Sequence, residues 1–186
     1  MDHASLAGGF TNPPHQSANA FRAVMQAMAR PGTIHDLDGA VPPAPLSVAA
    51  GTVIMTLCDP ETGVHLAGQY DVPEVRDWIT FHTGAPLVNA NAASFVVGTW
   101  DAIPIDILAL GTPEYPDRSA TVIVETPEIM TSGATLRGPG IKGTAALNLP
   151  EIKAFQRNAL LFPLGLDFMF TSGAQIAALP RSTKVS

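Results

Sequence analysis

Three glycines, Gly138, Gly140 and Gly143, stand in the stretch TLRGPGIKGT, with Arg137 and Lys142 among them. Glycines spaced this way let backbone amides converge on a phosphate, and adjacent cations add charge. The pattern GxxxxGK[ST] is not met, because Lys142 precedes Gly143 instead of following it. The pattern GxGxxG fits the glycine spacing, but it needs a strand before it and a helix after it, and no helix start is legible at Gly143. Two readings follow. In one the stretch is a turn ending a hairpin, stiffened by Pro139. In the other, Arg137, Gly138, Gly140 and Lys142 hold an anionic substrate, with His82 or Arg181 assisting catalysis.

The remaining reactive residues form no recognisable constellation. His3 and His15 lie near the N-terminus, while His35, His65 and His82 stand far apart, with no i, i+4 pair and no clustered cysteines. That spacing provides no metal-ligand set. His82 ends a helical pattern beside Thr83 and Gly84, where a cationic imidazole would cap free carbonyls as readily as it would do catalysis. There is no GxSxG elbow, and Cys58 sits in an apolar run without a neighbouring histidine, which makes it a core residue. Asp36 and Asp38 share one side of a short strand; such a pair can hold a cation, and it reads first as a solvated edge.

The elements that must position these residues are clearer. HQSANAFRAVMQAMARPG reads as an amphipathic helix capped by Ser17, with Phe21, Val24, Met25 and Met28 inward and Pro31-Gly32 as its stop. PLSVAAGTVIMTLCD is apolar all round and predicts a buried helix. DVPEVRDWITFHTG predicts a helix capped by Asp71, begun by Pro73 and ended by Gly84, with Val75, Trp78, Ile79 and His82 inside. LPEIKAFQRNALL predicts a further helix. TIHDLD and GVHLAG read as short strands, and ASFVVGTW, ATVIVET and FMFTS as apolar strands of a covered sheet. EIMTSGATLRG and FMFTSGAQIAAL each read as two β runs around a Ser-Gly turn. The fold class is therefore α/β, a mixed β-sheet sandwiched by helices. Residues 1–15 are expected to be loosely ordered and 16–186 to form one domain.

Composition narrows the function classes. Of 186 residues, 46% are hydrophobic and only 14% charged, which favours burial against a partner. The net charge of -6, with seven arginines and three lysines scattered through the chain, argues against nucleic-acid binding. A lone cysteine points to a reducing, cytoplasmic setting. The N-terminus has no signal-peptide pattern, and no apolar run is long enough to span a membrane.

Five separated stretches, FRAVMQAMARPGTIHDL, FHTGAPLV, LRGPGI, FPLGLDFMF and LPRSTKV, in that order resemble the PhnH subunit family of the bacterial carbon-phosphorus lyase system, from about Gln16 to Val185. The family pattern maps onto Pro31-Gly32, Phe81-His82-Thr83, Ala85-Pro86, Gly138, Gly140-Ile141, Phe162-Pro163-Leu164-Gly165, Asp167, Pro180-Arg181 and Thr183. Arg137 and Lys142 are not tied to it. The resemblance implies a cytoplasmic complex with PhnG, PhnI and PhnJ that degrades phosphonates. In it the PhnG, PhnH and PhnI group, with PhnL, joins an alkylphosphonate to the ribose of ATP with loss of adenine. The product is a ribose 1-phosphonate 5-triphosphate, whose carbon-phosphorus bond PhnJ, an iron-sulfur radical enzyme, later cleaves. It also implies a homodimer in isolation, and a fold like the large domain of pyridoxal-phosphate-dependent transferases without that cofactor. Consistently, Lys142, Lys153 and Lys184 are the three lysines, and none has the setting of a Schiff-base lysine. No cofactor bound by this chain is expected, ATP being a substrate of the complex.

Overall fold

The computed structural model describes residues 6–186. In chain order, α1 (Pro13–Ala29) and β1 (His35–Asp36) lead to α2 (Val48–Leu57), β2 (Val64–Leu66), α3 (Pro73–Thr83), β3 (Phe95–Gly98) and β4 (Thr121–Glu125). Then come β5 (Ala134–Arg137), β6 (Ala145–Leu147), α4 (Ile152–Leu160), β7 (Asp167–Ser172), β8 (Gln175–Leu179) and β9 (Lys184–Val185). No helix among the described residues is long and apolar enough to cross a membrane.

The apolar runs expected as strands are buried because both of their faces are covered. Six strands pair in the order β1-β8-β7-β4-β3-β2. The run β2, β3, β4, β7 is parallel, while β8 is antiparallel to β7 and β1 is antiparallel to β8. Along β4, Ile123 joins the core under the first three helices, whereas Val122 and Val124 join the core on the opposite face. That opposite face is covered by α4 and a second sheet, β6-β5-β9, so helices alone do not sandwich the main sheet. There Phe155 of α4 lies 4.8 Å from the Trp100 ring and 4.9 Å from that of Phe168. Such tilted and edge-on aromatic pairs contribute about 0.5–1.5 kcal/mol each beyond area burial.

Several local expectations are corrected. Helix α1 begins at Pro13, not after Ser17, because proline needs no amide partner in a first turn. Its buried residues are Ala20, Val24 and Ala27, while Phe21 and Met25 are turned outward. The small alanine side is the one that packs closely on α2 and β8. His3 and the rest of residues 1–5 lie outside the described residues. From Leu6 onward the expected loose segment is tied down: the Trp78 indole donates to the Ala7 carbonyl at 2.9 Å, and Val41 N–H to that of Gly8 at 2.8 Å. Asp71 does not cap α3, whose cap position is Val72. It pairs with Arg76, a hydrogen bond that holds the Asp71 carboxyl below its ordinary range. The Ser-Gly turn at Gly173 does join β7 to β8. Gly133 joins no hairpin, however: β5 pairs with β6 across the RGPGIKG loop itself.

Helix α2 is the most enclosed of the four, with residues Ala49 to Ile54 all buried. Its N-cap, Ser47, accepts from Ala50 N–H, and Ser47 N–H in turn donates to Glu125 Oε1 at 2.7 Å. The other Glu125 oxygen accepts from the Thr171 hydroxyl at 3.1 Å. One carboxylate thus joins the ends of β4 and β7 to the positive end of a helix. Burial nevertheless pushes the Glu125 carboxyl above its ordinary range, and its charge raises the neighbouring Tyr70 phenol further than burial alone. A raised folded-state value means that this group's stabilising contribution is complete below the ordinary glutamate range and is lost as pH rises through the folded value. The substitution Glu125→Gln, which keeps the acceptor for Ser47 and offers a donor to Thr171, is expected to flatten the fall of stability as pH rises above the ordinary glutamate range. Urea denaturation over that rise in pH measures it; an unchanged slope would exclude Glu125 as its source.

Candidate functional site

Asp167 opens β7 and Arg181 follows β8 by two residues, so the antiparallel register that pairs Phe168 with Leu179 sets the two side by side. Asp167 Oδ1 accepts from the Arg181 backbone N–H at 2.8 Å, and Oδ2 from guanidinium Nη2 at 2.6 Å. Nε donates to both carboxylate oxygens at 3.2 Å, and Nη1 to the Pro116 carbonyl at 2.6 Å and the Pro163 carbonyl at 3.5 Å. Nη2 also donates to the Ser119 hydroxyl. All three nitrogens are occupied, and only 14% of the arginine and 19% of the aspartate side chain is exposed. A guanidinium has five N–H donors in a fixed fork. Here the fork is spent on holding four chain segments together, so that Arg181, a catalytic candidate by sequence, acts as a clasp in the fold.

Around this clasp lies a groove of about 570 Å³. Its walls are formed by Met25, Met28 and Ala29 of α1 and by Phe162 with Pro180 and Ser182. Pro139 and Gly140 also line it. Four of the five sequence stretches that carried the family resemblance therefore meet here, although they are separated by up to about 150 residues along the chain. The fifth, containing His82, lies elsewhere.

Each wall has a physical reason for its position. Gly140 has φ +78°, and a Cβ there would stand 1.9 Å from the Ala29 carbonyl oxygen. Only glycine lets the loop approach the end of α1 this closely. Gly32, just past α1, is pressed likewise against Ala145 of β6. On the Phe162 wall, the Asn158 side chain of α4 donates to the Leu166 carbonyl and accepts from Leu166 N–H, both at 2.8 Å. That double bond pins the turn from Leu161 to Gly165 and leaves Phe162 facing solvent.

The anion-binding candidates divide. Gly140 lines the groove, and Gly138, at φ +148°, lies against Ser182 and Thr183. Arg137 and Lys142 are exposed and, among the described residues, make no ion pair. Arg137 stands opposite Lys184 in the β5–β9 register, so two like charges face each other. His82 is not in this constellation. Its Nε2 bonds the Leu6 carbonyl at 3.0 Å, and its ring packs on Trp78 and Phe81 and directly over Gly9. It latches the N-terminal segment to α3, and not the carbonyls of its own helix. Burial together with the Asp59 charge pushes the Cys58 thiol up to about 12, which keeps it protonated and unreactive at neutral pH.

Sequence reasoning missed the outward turn of Met25, the exposure of Phe162, the Asp167 partner of Arg181 and the Asn158 clamp. One signal was available: Leu160-Leu161-Phe162 carries an apolar run past the end of a helix, directly before Pro163.

Comparison with known proteins places the chain among bacterial relatives. The family model described as "Bacterial phosphonate metabolism protein (PhnH)" matches residues 8–186. The chain is 40% identical over 191 aligned residues to the alpha-D-ribose 1-methylphosphonate 5-triphosphate synthase subunit PhnH of Rhizobium meliloti (strain 1021), covering 96% of this chain and 94% of that protein. It is 29% identical over 176 residues to HtxG of Stutzerimonas stutzeri, provisionally described as a C-P lyase subunit protein, with 90% and 84% covered.

Lysine offers one point charge where the clasp needs a planar fork. Arg181→Lys is therefore expected to cost about 2–4 kcal/mol of stability, and Asp167→Asn a similar amount. Chemical denaturation reads both. Wild-type midpoints in either variant, with function lost, would return Arg181 to a role in chemistry.

Proposed function

The chain belongs to the PhnH family of bacterial phosphonate metabolism proteins, and on that premise we propose that it is a subunit of a carbon-phosphorus lyase core complex. With PhnG, PhnI and PhnL-like partners it serves the formation of ribose 1-alkylphosphonate 5-triphosphate from ATP and an alkylphosphonate. Its role is structural or co-catalytic, in the cytoplasm, beside a PhnJ-like lyase subunit, and it is a homodimer when isolated. The observation that carries this reading is the groove: the family stretches converge on apolar walls and a saturated Arg–Asp clasp, which is a surface for docking and not a set of free acids, bases or nucleophiles.

A second reading makes the chain a binder of the triphosphate or phosphonate. Its support is the loop from Gly138 to Gly143, with Arg137 before it and Lys142 within it, both exposed and without ion pairs among the described residues.

We also propose that the fold resembles the large domain of pyridoxal-phosphate-dependent transferases, kept as a scaffold without the cofactor. A Schiff-base lysine needs a pocket that excludes water. Lys142, Lys153 and Lys184 are all exposed and sit on the loop, α4 and β9. Added pyridoxal phosphate is accordingly expected to give no Schiff-base absorption band; such a band would restore a cofactor role.

Co-expression of the partner subunits with and without this chain, followed by assay with ATP and methylphosphonate, tests the subunit reading. Turnover is expected only when the chain is present, and none from the chain alone. Robust turnover by the isolated chain would overturn a structural role. In the assembled complex, Arg137→Ala with Lys142→Ala is expected to leave substrate affinity unchanged. A loss at low salt would favour the second reading.

A further inference from the structure

Resting on the subunit reading, we infer that the groove and the lobe behind it receive an acidic segment of a partner protein, anchored by a bulky apolar side chain. The anchor site follows from where apolar surface is left uncovered. Leu160, Leu161 and Phe162 are three consecutive apolar residues, 86%, 42% and 59% exposed. A run of this kind is a solubility defect unless something covers it. Asn158 and the Leu161–Gly165 turn hold it in place, so it cannot fold inward. On α1, Met25 lines the groove and Phe21 precedes it by one helical turn, 49% and 48% exposed. Their spacing is that of a core face, yet the core is met by the alanines instead.

The charge of the partner follows from where the cations lie. The chain as a whole carries sixteen carboxylates and ten cations. Yet the lobe built from residues 129–166 and 180–186 holds Arg137, Lys142, Lys153, Arg157, Arg181 and Lys184 against one acidic side chain, Glu151. Glu151 is taken by Arg157, and Arg181 by Asp167 of the main sheet. Four cations therefore remain without an ion pair among the described residues, two of them, Arg137 and Lys184, directly opposite each other. Like charges facing across a strand pair are unfavourable, and an incoming carboxylate relieves them.

These features choose among occupants. A second copy presenting the same face would set this lobe against itself, repelling like charges. Four cations without stacked aromatic platforms are a poor footprint for nucleic acid, and the remainder of the chain is strongly acidic. A protein segment rich in Asp and Glu, carrying one aromatic or large aliphatic residue for the groove, satisfies both halves.

The test uses the full chain and its PhnG-like and PhnI-like partners, purified together. One variant replaces the walls, Met25→Ser with Phe162→Ser; the other reverses charge, Arg137→Glu with Lys184→Glu. Circular dichroism and melting temperature check that both remain folded. Each is expected to weaken capture of the partners at least about tenfold, the loss typical of a buried interface anchor. The charge reversal is expected also to reduce the dependence of affinity on salt. Carbodiimide, which joins amines to carboxylates in contact, is expected to link Lys142 or Lys184 to an Asp or Glu of the partner beside an aromatic or large aliphatic residue. Folded variants that bind partners like wild type, or that change only self-association, overturn the inference while leaving the subunit reading intact. Failure of the wild-type chain itself to assemble overturns the subunit reading and this one with it.

Discussion

The guanidinium of Arg181 and the carboxylate of Asp167 hold the site together. Their contact connects the start of β7, the chain just beyond β8, the loop at Pro116 and Ser119, and the turn at Pro163. Charge-assisted, forked bonds of this kind fix geometry as well as distance. They add to the Asn158–Leu166 bonds in holding the Phe162 wall of the groove against the central sheet. The cost of partly burying two charges is offset only because every donor on the guanidinium has an acceptor.

Next to this rigid frame, close backbone approach sets the shape of the groove. Gly140 lies where any side chain would collide with the Ala29 carbonyl, and Gly32 where one would collide with Ala145. These contacts tie the second sheet to the C-terminal end of α1. The glycine loop owes its composition to steric fit. Its two cations stand outside that fit and carry charge to the surface. Exposed apolar residues on both walls, Met25 and Phe162, then leave apolar surface uncovered.

Most of the elements were legible from the sequence because their patterns are local. The fully apolar run that becomes α2, the three apolar strands, and Gly84 at the left-handed end of α3 all appear as read. The errors have a common origin. Phe21 and Met25 satisfy helical spacing as well as Val24 does, and nothing within the helix decides which stripe meets the sheet. Asp71 is a good helix cap in isolation, but Arg76, one turn on, competes for it. The hairpin partner of β5 is set by the second sheet, which periodicity does not reveal.

By itself the sequence determined the α/β class, the positions of helices and strands, and a family resemblance spread over five stretches. It determined these because hydrophobic period, proline and glycine act over a few residues. Only the tertiary structure decided that four of those stretches form one groove, that Arg181 is a clasp and His82 a latch, and that four cations of the second-sheet lobe stay without an ion pair among the described residues. Those outcomes depend on contacts between residues tens of positions or more apart, made when α1, the Gly138–Gly143 loop and the β7–β8 hairpin pack together. Local propensity carries no record of such contacts.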